Sequence, residues 1–229
     1  MSRTRKILLA LAATLLLLGG ALVVLPKVLF GDGQSYSNVT SIETAPVYHD
    51  PALLEKAWAL PVAALYRAHL DFQSNGSFCG PTSVVNVMRS LDLAASQQTV
   101  LNDTEVSTIL GILPGGVTLD TLAEVARKKL HHRVTVLRDL DLPTFREHLK
   151  HANDLTRRYI VNFSRGPLFG RGGGHHSPIG GYLADEDLVF VIDVNRKYGP
   201  WLVKPERLLE AMNTFDKMAK KKRGMLVIE

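Results

Sequence analysis

The 229-residue sequence contains a single cysteine, Cys79. An internal disulfide is therefore excluded, and one thiol with the adjacent pair His175 and His176 makes poor tetrahedral geometry for a structural metal. No internal repeat and no low-complexity tract is present, which excludes a stacked-repeat architecture. Net charge is also scarce. Three of the positive charges behind the formal +5 stand at Arg3, Arg5 and Lys6, so the remainder offers no basic face for nucleic acid. A second basic cluster, Lys217, Lys220, Lys221, Lys222 and Arg223, reads first as a solvated turn or face, with contact to anionic lipid as the lesser alternative.

Long apolar runs are lacking too, with one exception. From Ile7 to Leu25 the chain is apolar apart from Thr14 and small residues, and the basic flank precedes it. That pattern is a secretory or membrane-targeting segment. It approaches the roughly 20 residues that span a bilayer, and no Ala-x-Ala cleavage site follows, so a removed signal peptide and an uncleaved anchor both stay open. Either one exports the rest, to the periplasm or to the periplasmic side of the inner membrane. The expected organisation is a leader or anchor over 1–30, an irregular linker over 31–50, and one folded domain over 51–229. A content of 46% hydrophobic and 21% charged residues suits a globular domain.

Within that domain, apolar positions at helical spacing around Pro61 predict two short helices over 52–70. Val84, Val85, Val87, Met88 and Leu91 predict a helix opening at Cys79, with Pro81 in its first turn. Further helices are expected at 118–130, with Thr118 as N-cap, and at 142–151. The pattern then changes. Short β-rich runs at 133–137, 159–163, 177–183 and 188–194 predict an antiparallel sheet, followed by a helix at 205–212 and a last strand at 225–228. Helices first and sheet second indicate an α+β domain with two segregated halves, and a cleft between such halves is a natural site.

A lone exported thiol is a liability unless it is buried or used, and Cys79 has the setting of a nucleophile. A helix N-terminus favours the thiolate through its free N–H groups and partial positive charge. Gly80 permits close approach of backbone or substrate. Gln73, in the loop upstream, offers a side-chain amide for an oxyanion beside the Cys79 backbone N–H. The general base should be a histidine on a rigid element, and the segment from Gly172 through His175-His176-Ser-Pro to Tyr182 leads a glycine-rich approach into a strand. Adjacent strand residues point to opposite faces, so only one of the two histidines should address the sulfur. Asp193 ends the next apolar strand, where a hairpin would bring it beside the base to fix its tautomer.

The stretches Gln73 to Ser83, Arg165-Gly166, and His175-His-Ser-Pro-Ile-Gly-Gly-Tyr182 through Val191-Ile-Asp193-Val-Asn-Arg196 resemble the catalytic domain of phytochelatin synthase, over roughly 51–229. The resemblance implies a papain-like fold, with Cys79 as nucleophile, His175 rather than His176 as base, Asp193 as third member and Gln73 as oxyanion donor. It also implies substrate recognition by Asn162, Arg165 and Arg196, which suits the two carboxylates of glutathione. The implied reaction is release of glycine from glutathione and transfer of the γ-glutamylcysteinyl group to water or a second glutathione. No bound cofactor is implied; cadmium or zinc would act as a metal-glutathione substrate. The implied partners are glutathione and its metal complexes, the membrane if the leader is retained, and a second copy of the chain in a homodimer. His176 stands where plant members carry an aromatic residue, and no cysteine-rich extension follows, so hydrolysis is expected to be at least as prominent as transpeptidation. Two rivals remain: another papain-like exported peptidase, such as the leader-cleaving family, and a non-enzymatic membrane-anchored thiol or metal-binding protein.

Overall fold

The computed structural model describes residues 35–229 together with Arg5 and Thr14; apart from those two positions, the expected leader lies outside the described residues. Among the described residues no helix is long and apolar enough to cross a membrane.

Proline and polar caps set the helix starts. Helices α1 (Pro51–Trp58) and α2 (Pro61–Arg67) both open on proline, whose missing N–H costs nothing in a first turn. The Asp50 carboxylate accepts from the Leu53 N–H to cap α1. Helix α3 (Cys79–Arg89) is buried from Cys79 through Met88 because it packs against α2, α4 and the sheet. Helices α4 (Leu119–Leu130) and α5 (Leu142–Lys150) are capped by Thr118 and Asp141. A four-residue helix, α6 (Gly166–Phe169), and α7 (Pro205–Met212) complete the set among the described residues.

The strands are β1 (Val134–Leu137), β2 (Arg158–Ser164), β3 (Gly174–Leu183), β4 (Leu188–Val191), β5 (Trp201–Val203), β6 (Phe215–Asp216), β7 (Lys221–Lys222) and β8 (Gly224–Ile228). Six form one antiparallel sheet in the order β1-β8-β2-β3-β4-β5, and β6 and β7 form a separate hairpin. The sheet carries a core on each face. Ile160 and Phe190 face a core with α1 to α4. Tyr159, Val161 and Phe163 face a second core with α5 and α7, as the period of two requires. Pro178 stands inside β3 opposite Ile160, and a register shift follows between Ile179 and Gly181. Such an irregularity accommodates a residue that cannot donate to the ladder.

The expected α+β order, helices then antiparallel sheet, is the observed one. Three differences matter for the site. Strand β5, helix α6 and the β6–β7 hairpin were not expected, being too short to carry a period. Strand β3 begins at Gly174, so both histidines lie within it. The linker expected over 31–50 is seated at its end: Ile42 and Tyr48 are buried, the Leu202 N–H donates to the Tyr48 carbonyl at 3.1 Å, and the Tyr48 ring stacks toward Trp201. Burial of these two apolar side chains outweighs the irregular composition around them.

Candidate active site

Cys79 is the first residue of α3, and Phe78 before it provides no side-chain cap, so the first-turn N–H groups remain directed toward the sulfur's end of the helix. The thiol is buried. Gly80 beside it keeps the packing open, since a Cβ there would lie 2.6 Å from Val117 Cγ2 and 3.2 Å from Leu122 Cδ1. The loop ahead of the helix is tied down at its start. Asn86 donates to the Asp71 carbonyl and accepts from the Asp71 N–H, and the Gln73 N–H donates to the Val194 carbonyl at 2.8 Å, immediately after Asp193.

Strands β2 and β3 deliver the histidines. Register pairs His175 with Phe163 and His176 with Asn162, placing the two rings on opposite faces. His175 Nε2 lies 2.9 Å from Asp193 Oδ1, and its ring meets Phe163 edge to face. His176 Nδ1 lies 3.8 Å from the Cys79 sulfur. The expectation that His175 alone would address the sulfur is not met: the ring nitrogen in hydrogen-bond contact with it is that of His176, while His175 is paired with Asp193. Burial pushes the Cys79 thiol up, but the charge of His175 and its hydrogen bond, with His176 adding to them, outweigh burial and hold the thiol well below its ordinary value.

Asp193 is wholly buried and fully partnered. Arg165 Nη2 donates to both carboxylate oxygens at 2.9 and 2.7 Å, Trp201 Nε1 donates to Oδ2 at 3.0 Å, and the Asn195 N–H donates to Oδ1. Burial would raise this carboxyl; the charge and hydrogen bond of His175, then Arg165 and Trp201, hold it below the usual carboxylate range. For His175, burial and the Arg165 charge push down, while Asp193 and the thiolate outweigh them and leave the imidazole raised. The result is a thiolate and an imidazolium favoured together.

The substrate residues implied by the resemblance separate. Asn162 lines the cavity beside Cys79, with its Nδ2 donating to the His175 carbonyl at 3.1 Å. Arg165 is spent on Asp193, its guanidinium lying 3.7 Å from the centre of the Tyr198 ring, and it does not reach the cavity. Arg196 is exposed and stacks over Phe72 at 4.5 Å, also outside the cavity. Gln73 has its side-chain amide engaged, Nε2 donating to the Asn75 carbonyl at 2.7 Å, while its Oε1 is buried without a partner.

Sequence reasoning missed part of the site. A cavity of about 470 Å³ opens from Cys79, bounded by the 112–117 loop on one side and by Asn162, His176, Asp216 and Arg223 on the other. Arg223, expected in a solvated run, turns inward and donates through Nη1 to Asp216 at 3.1 Å. Gly174 makes room for it, since a Cβ there would sit 2.4 Å from that nitrogen. The available signal was Asp216 and Arg223 bracketing the exposed lysines. Trp201, an indole donor shortly after Asp193, was also missed.

The chain is similar to known proteins over parts of its length. The chain is 45% identical over 73 residues to glutathione gamma-glutamylcysteinyltransferase 3 of Lotus japonicus, covering 31% of this chain and 15% of that one. It is 28% identical over 176 residues to glutathione gamma-glutamylcysteinyltransferase 2 of Arabidopsis thaliana, covering 70% of this chain and 38% of that one. The chain thus spans well under half the length of these relatives. Among solved structures, a putative C39-like peptidase from Bacillus anthracis aligns at TM-score 0.51 and 13% identity, covering 72% of this chain and 96% of that one, a likeness of fold. The phytochelatin synthase family model matches residues 50–225, and the chain belongs to that family.

Proposed function

We propose that the protein is a glutathione γ-glutamylcysteinyltransferase and hydrolase in which Cys79 is the nucleophile, His175 the acid and base, and Asp193 the residue that orients it. The observation that carries this reading is a buried thiol at a helix start beside two strand histidines, one of them paired with the buried Asp193, opening on a cavity with one anionic and one cationic wall residue. Names of the relatives support glutathione as the substrate.

The Cys79 thiolate attacks the carbonyl carbon of the Cys-Gly amide, and the oxyanion takes a hydrogen bond from the Cys79 N–H. Gln73 joins it by exchanging the Asn75 carbonyl for the substrate oxygen. The C–N bond then breaks, His175 gives its proton to the glycine nitrogen, and a γ-glutamylcysteinyl thioester remains on the sulfur. Water, or the amine of a second glutathione, attacks the thioester, its proton passes to His175, and the thiolate leaves. The zwitterionic end of the γ-glutamyl group suits the cavity, its carboxylate toward Arg223 and its ammonium toward Asp216. Asn162 in the same wall serves the bound acyl group. Cadmium or zinc enters as a metal-glutathione substrate, and the basic-flanked apolar leader exports the site to the periplasm or holds it on the periplasmic side of the inner membrane.

The test is incubation of the purified protein with glutathione, with and without cadmium, following free glycine, γ-Glu-Cys and longer oligomers. Glycine release should fall at least about 10³-fold in Cys79→Ala. Undiminished release from that variant refutes the assignment of the nucleophile, and absence of release from the wild type refutes the substrate.

A further inference from the structure

His176 is left over by the mechanism above, yet it occupies the cavity wall against the reacting atom. Its Nδ1 is 3.8 Å from the Cys79 sulfur. The ring is 2% exposed, and its Nε2 is buried with no hydrogen-bond partner. A proton on Nε2 would be a buried donor without an acceptor, whereas a bare nitrogen there leaves only an acceptor unused. The ring's proton therefore belongs on Nδ1, directed at sulfur. Its position is set by the cross-strand pairing with Asn162, and it stands beside α3, where even a Cβ at position 80 would lie 3.6 Å from Nδ1, in ordinary contact.

We propose, on the reading of Cys79 as nucleophile, that His176 is a second catalytic imidazole whose Nδ1–H donates to the sulfur and holds it as thiolate when His175 has given up its proton. The two rings then divide the work. His175, backed by Asp193, carries the proton that moves to the leaving amine and returns from the acceptor. His176 exchanges no proton; its hydrogen bond lengthens in the thioester and strengthens as negative charge returns to sulfur when the C–S bond breaks. Its effect is thus greatest on deacylation.

The experiment measures the rate of Cys79 alkylation by iodoacetamide against pH, without glutathione, in the full-length wild type and in His176→Asn, His176→Gln and His176→Phe. The sole cysteine makes the readout specific. An asparagine amide nitrogen reaches the place of Nδ1, whereas a glutamine amide reaches the place of Nε2. Losing one hydrogen bond to a charged group should move the thiolate midpoint up by about one pH unit, about tenfold less thiolate at acid pH, in His176→Phe and His176→Gln, while His176→Asn stays near wild type. With glutathione, the two shifted variants should accumulate acyl-enzyme. Equal midpoints in wild type and any folded Phe or Gln variant overturn the proposal, as does an Asn variant that shifts as far as they do. Because alkylation needs no glutathione, a wild type that releases no glycine counts against the substrate alone and leaves this test decisive.

Discussion

Replacing Arg165 with methionine tests the charge network behind His175. The guanidinium donates twice to a carboxylate with no exposure and is itself nearly buried. Methionine keeps much of the volume, so the change is mainly electrostatic. Removing one member of a buried pair costs about 3 to 5 kcal/mol. Asp193 keeps His175, Trp201 and the Asn195 N–H, which places the loss near the lower end. About 3 kcal/mol corresponds to a fall of roughly 6 to 12 °C in Tm for a domain of this size. The sign with pH follows from Asp193, whose folded carboxyl is lowered. Its stabilisation is complete above the unfolded value of about 3.9 and is lost as pH falls toward the folded one. The gap between wild type and variant should therefore be constant from neutral pH down to about pH 5 and close below pH 4. Arg165 also pushes His175 down, so the upper limb of the activity profile should move to higher pH in the variant. Urea denaturation at a series of pH values measures the first effect and glycine release the second. A variant as stable as wild type at pH 7 would refute the claim that the guanidinium holds Asp193 in place.

Asp193→Asn leaves the shape of the site but can leave His175 in the wrong tautomer, and kcat for glycine release should fall by about 10⁴-fold; a loss below tenfold would remove Asp193 from the mechanism. Trp201→Phe deletes the indole donor on Asp193 Oδ2 at 3.0 Å and should cost about 1.5 to 3 kcal/mol in urea denaturation. Gly80→Ala places a methyl 2.6 Å from Val117 Cγ2 and 3.2 Å from Leu122 Cδ1. Those are side-chain atoms that can shift, so about 1 to 3 kcal/mol of overpacking is expected by thermal unfolding, with Val117 displaced into the cavity and KM raised.

The helical half was legible because its signals are local. Prolines at 61 and 81, the Thr118 cap, and apolar stripes at three and four residues locate α1 to α5 to within three residues. The long strands were legible for the same reason. What escaped was set by partners distant in the chain. β5 has three residues, and nothing in Trp201–Val203 states that its indole reaches Asp193. The cation at Arg165 was visible, but not that the carboxylate two residues past β4 would claim it. Arg223 was hidden among exposed lysines and is turned inward by its pairing with Asp216. Face alternation holds for His175 and His176, but the ring in hydrogen-bond contact with the sulfur is His176, not the one the resemblance assigned.

The hydrogen bond from the Gln73 backbone N–H to the Val194 carbonyl joins the segment that leads to the thiol with the one that carries the carboxylate. Hinge-like separation of the helical and sheet halves would have to break it. The spacing of nucleophile and acid is therefore set by the folded scaffold before any ligand arrives, and binding energy is free to act on the reacting amide instead of assembling the machinery.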